Sequence, residues 1–164
     1  STLEPDARTE AFSTYVQLAE GRELTGFVQG LTGISPYDLR KENAMMLEDA
    51  LDFFGLFVQD SIIVSQWAQF DLSFVPHLKT DFYCLRTVSK LLYPTENLNV
   101  IPTCDRLGID VSGALTVSAM RELFKRYADY LETDLELFMN KVYCDPKREL
   151  TYIPPNATVV GVSE

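Results

Sequence analysis

The sequence predicts an all-α fold: roughly five to seven helices packed around a central hydrophobic helix, as a bundle or in a globin-like arrangement, with a long loop near 95–115 and an extended C-terminal arm. Three observations predict it. From Met45 to Phe70 the chain is apolar nearly all round a helix. From Thr116 to Tyr143 apolar residues recur at three- and four-residue steps, and beyond Asp145 prolines and valines replace that period. The expected organisation is one helical domain over 1–145 followed by a tail over 146–164.

Glu4 to Gly21 reads as a short amphipathic helix, with Pro5 in its first turn, Phe12, Val16 and Ala19 on one face, and Gly21 as its stop. A second helical piece, Arg22 to Leu31, places Leu24, Phe27, Val28 and Leu31 on one side and is weakened by Gly26 and Gly30. Ser35-Pro36 is a helix start, because the serine hydroxyl can cap an orphan amide and proline gives up a donor that has no partner there. The central helix is expected to begin at that point and to break near Gly55 or after Phe70.

Within Met45 to Phe70, Leu47, Leu51, Phe54, Val58 and Ile62 form one apolar line and Ala50, Phe53, Phe57 and Val64 the next. Only Glu48, Asp52, Gln59 and Gln66 are left as a strip for water, interrupted by Gly55, whose missing side chain would let a neighbouring backbone approach. Such a helix belongs at a centre. It is not a membrane span, because Asp52, Gln59, Asp60, Ser61, Ser65 and Gln66 recur within the roughly twenty residues a span would need.

A further helix is expected from Pro76 to Tyr93, stopped by Pro94, with Leu78, Phe82, Leu85 and Leu92 as its apolar line and Cys84 beside it. Thr95 to Ala114 carries turn formers and reads as a long ordered loop. Thr116 to Tyr143 has the clearest helical period, with Val117, Met120, Phe124, Tyr127 and Leu131 in line and a charged outer face. After Cys144-Asp145-Pro146, the pair Pro154-Pro155 forbids helix, while Val159, Val160 and Val162 favour extended chain. An apolar tail with Tyr152 and Ile153 is expected to lie against this domain or a neighbour.

A chain of 164 residues with 46% hydrophobic and 12% aromatic content can bury a core. Its 24 acidic against 14 basic residues give a net charge of -10, which repels phosphate backbones and anionic lipid, so no nucleic-acid partner is expected. Cys84, Cys104 and Cys144 are odd in number and show no CxxC spacing, so neither a disulfide framework nor a zinc knuckle is expected. With no basic-then-apolar leader before the first helix, the expected compartment is the cytoplasm or an organelle interior.

Catalytic constellations are hard to assemble from these residues. His77 is the only histidine, no GxSxG elbow accompanies it, and a histidine after a proline at a helix start is read as making a local hydrogen bond. Gly108 to Ala119 has the outline of a calcium loop but places Gly108 and Ala119 where its first and last carboxylates belong, so a turn is expected. Gly26 to Gly33 lacks a phosphate-cradling pattern, and the carboxylates at Glu48, Asp49 and Asp52 or Glu132, Asp134 and Glu136 read as solvated faces. Asn156-Ala157-Thr158 matches a glycosylation acceptor, which matters only outside the cell.

Cys84-Leu85-Arg86 resembles the start of the bilin-attachment segment of the phycobiliproteins; Gly21 to Leu24 is similar to a piece near their N-terminus, and Arg121 to Lys125 to a later helix. The resemblance implies a globin-like subunit with a tetrapyrrole thioether-linked to Cys84. It covers short fragments only, Thr87 stands where that family has the pigment-holding Asp, and an extended tail replaces the final helix.

The function expected from the residues is that of a non-catalytic subunit or adaptor of a protein assembly, meeting other protein subunits through apolar helix faces and through Tyr152, Ile153, Val159, Val160 and Val162. No metal and no cofactor is assigned. The alternative, a helical domain that binds a tetrapyrrole or other apolar small molecule near Cys84, His77 and Trp67, stays open at this level.

Overall fold

A computed structural model describes residues 10–111, 117–144 and 152–161, the side chains of residues 132 and 133 excepted. The chain divides into two compact units, Ser1–Gln59 and Asp60–Glu164.

In the first unit, the stretch expected as an opening helix holds no helix over residues 10–21; its residues 1–9 lie outside the described residues. Thr14, Tyr15 and Val16 are β-formers, and the chain around them finds backbone partners across a parallel bridge: Met45 N donates to Tyr15 O at 2.9 Å and Gln17 N to Met45 O at 2.8 Å. Phe12, meant for a helix face, instead stacks on Phe57 with ring centroids 5.7 Å apart. The first helix, α1, spans Gly26–Thr32. Thr25 caps it by accepting from Val28 N, and Gly33 at φ 73° ends it in the left-handed conformation, its N–H returning to Gln29 O.

Ser35-Pro36 does not start the central helix. The Asp38 carboxylate accepts from both Ser35 N and Ser35 Oγ, closing a local turn, and further turns follow to Asn43. The helix α2 runs only from Leu47 to Phe57, with Glu48 and Asp49 in its first turn, where the macrodipole favours them. Ala50 is its only buried residue, whereas Phe53 and Leu56 are exposed. Among the described residues nothing approaches Gly55: an added Cβ would meet no atom within 4 Å.

The expected helix over Met45 to Phe70 is therefore overturned. Asp60 takes a left-handed φ of 58°, which no helix continues through. The β-branched run beyond it forms a strand, β1, Ile63–Ser65, in the second unit. The chain then makes a four-residue helix α3, Ala68–Asp71, and a 3₁₀ turn, Leu72–Phe74. It returns as β2, Phe82–Cys84, parallel to β1 in the register Ile63↔Phe82, Val64↔Tyr83, Ser65↔Cys84. Pro76 thus opens no helix. Its expected helix exists only as α4, Leu85–Leu92, which starts directly out of β2 and stops at Tyr93 before Pro94.

The expected loop over 95–114 contains a helix, α5, Val100–Arg106. Pro102 sits in its first turn, where a missing N–H costs nothing, and Gly108 at φ 69° turns the chain out. The last helix, α6, spans Val117–Leu131, continues as a 3₁₀ run, Glu132–Phe138, and does not reach Tyr143. Asn140 at φ 59° reverses the chain into β3, Lys141–Tyr143, which pairs in parallel with β4, Thr158–Val160, in the register Lys141↔Thr158, Val142↔Val159, Tyr143↔Val160.

The all-α expectation is thus corrected. Among the described residues, six helices stand beside two parallel two-stranded sheets, so the chain is not plainly all-α. One core cluster of the second unit gathers Ala68, Leu72, Phe82, Cys84 and Val142 between α3 and the strands. Elsewhere in that unit Leu85, Val88, Cys104, Leu123, Phe124 and Tyr127 are buried, and α4 packs on α6. No helix among the described residues is long and apolar enough to cross a membrane.

Candidate functional site

At the end of β1 the chain turns through Gln66 and Trp67 into α3, and one carboxylate organises the turn. Asp71 accepts from Ser65 Oγ at 2.5 Å and from Trp67 N at 3.1 Å, tying the last residue of the strand to the start of the helix. Ala68 N donates to Cys84 Sγ at 3.3 Å, and Arg86 N to Gln66 O at 3.0 Å, so both flanks of Trp67 are also held to the β2–α4 junction.

That scaffold displays aromatic rings at helical spacing. Trp67 stacks on Phe70 with centroids 5.6 Å apart and planes at 19°, and Phe70 meets Phe74 edge-on at 5.2 Å. The Arg86 guanidinium lies over the Trp67 ring, 4.7 Å from its centroid. Phe70 is 44% exposed and Phe74 64% exposed. The surface is thus an ordered aromatic row with a cation at one end. Beside it Gln66 Oε1 is buried with no hydrogen-bond partner among the described residues.

The other predicted site residues fall in different places. Cys84 is 2% exposed within the core cluster, and its thiol also approaches Gln66 O at 3.9 Å, so it and the backbone flanking Trp67 come together. His77 lies on an exposed turn after the 3₁₀ segment. Tyr152 packs against the core cluster with its hydroxyl buried and unpartnered, and burial pushes its ionisation up. In the same arm Ile153 and Val159 are exposed and Val160 is half-buried; Val162 lies outside the described residues.

Asn156 of the Asn-Ala-Thr tripeptide spends its side-chain amide on Lys79 O. Of the calcium-like loop, residues 112–116 lie outside the described residues, and Gly108 serves as the exit from α5. Among the described residues no group of three or more His, Cys, Asp or Glu side chains is placed to hold a metal ion. In the sequence Phe70 reads only as the end of the apolar stretch from Met45, and neither Asp71 nor Phe74 stands out as a site residue. The spacing of Trp67, Phe70 and Phe74 at three and four residues, with an acid directly after Phe70, was the available signal. No family model, no curated protein and no solved structure matches the chain.

Proposed function

We propose that the chain is a non-catalytic subunit or adaptor whose second unit meets partner proteins through the aromatic row of Trp67, Phe70 and Phe74, with Ile153 and Val159 of the C-terminal arm as a second contact. The observation that carries this reading is the exposure of Phe70 and Phe74 on a scaffold already fixed by the Asp71 hydrogen bonds. Aromatic rings beside an arginine are the side chains that dominate protein interfaces, and rings ordered beforehand lose less entropy on docking. A net charge of -10 favours a partner with basic residues around its contact surface. Three free thiols support a reducing compartment, cytoplasm or organelle interior.

The test is native mass spectrometry with an absorption spectrum on protein isolated from its own source, for the natural chain and for the Phe70→Ser/Phe74→Ser variant. Co-purifying polypeptides that the variant loses, while its circular dichroism is unchanged, are the expected result. Retention of the same polypeptides by a folded variant removes the aromatic row from the interface. A mass above 18.6 kDa by the weight of a small molecule, with visible absorbance, replaces the reading with a ligand-binding one centred on Cys84.

A further inference from the structure

We draw no further inference here: the strongest candidate, the surface patch of Met46, Leu47, Phe53 and Leu56 on and beside the second helix, is an unpartnered apolar face and nothing in the structure shows what covers it.

Discussion

Asn140 joins three segments of the second unit through four hydrogen bonds. Its side-chain oxygen accepts from Phe82 N at 3.0 Å and its amide donates to Asp81 Oδ1 at 2.9 Å, while its backbone bonds Phe82 O and Thr158 N. Its left-handed φ of 59° is one that asparagine tolerates better than most residues. Asn140→Ala strands the Phe82 amide beside a fully buried ring and strains the backbone, so a loss of about 2–3 kcal/mol is expected in urea unfolding. A loss under about 0.5 kcal/mol would show that water replaces the side chain at no cost. The buried pair Ser89 and Tyr127 gives an ordered comparison. Ser89 Oγ donates its single proton to Leu85 O, so the Tyr127 hydroxyl is the donor in their mutual bond. Tyr127→Phe removes a donor and leaves Ser89 satisfied, costing about 1 kcal/mol, whereas Ser89→Ala leaves a buried hydroxyl without a partner and costs more. Equal costs, or the reverse order, would contradict that donor assignment.

The elements that were legible in the sequence are those with enough residues to show a period. The helix α6 announces itself through Leu123, Phe124 and Tyr127, and the stop of α4 is written in Pro94. Strands of three residues show no such period. Phe82-Tyr83-Cys84 is buried at every position, so it reads as part of the helix expected from Pro76 to Tyr93. Ile63-Val64-Ser65 continues an apolar helical pattern and cannot be told from it by period, although its β-branched residues and the Asp60 turn mark the change. Of the aromatic row, Trp67 is named from the sequence only as lining of a small-molecule pocket with Cys84 and His77, and Phe70 and Phe74 are not named as site residues, because an exposed aromatic and a buried one look alike in a helical stripe. Two glycines separate helix from strand physics. Gly55 lies inside α2 in open space, so Gly55→Ala is expected to stabilise by up to about 1 kcal/mol. Gly161 sits at φ 67° directly after β4, and an added Cβ would stand 2.8 Å from the Tyr143 ring. Gly161→Ala therefore weakens the β3–β4 pair by about 1–3 kcal/mol, measurable as faster amide exchange at Val159 and Val160 with α6 unaffected. Unchanged exchange there would mean that the arm shifts to accept the methyl group.

Among the described residues, five ionisable groups of the second unit have their protons held by burial. Burial raises the ionisation of Tyr83, Tyr127, Tyr152, Cys104 and Cys144 above their ordinary values; at Cys144 the hydrogen bond donated by Gln69 Nε2 opposes it. Each group keeps its proton in the folded chain after the unfolded chain has begun to lose it. The stability they contribute is complete below the unfolded values, about 8.5 for cysteine and about 10 for tyrosine, and declines as pH rises through and above them. The urea midpoint of the second unit should hold from about pH 7 to 8 and fall by about pH 10.5; a flat profile would show that these side chains are already hydrated. The parallel pairing of β3 with β4 has a mechanical consequence. Asn140 anchors β3 at its beginning, while the chain leaves β4 at Gly161, so tension applied at Gly161 pulls the two strands past each other lengthwise. All three rungs of the pair then share the load at once, and this end of the molecule should yield in a single rupture rather than peel open rung by rung.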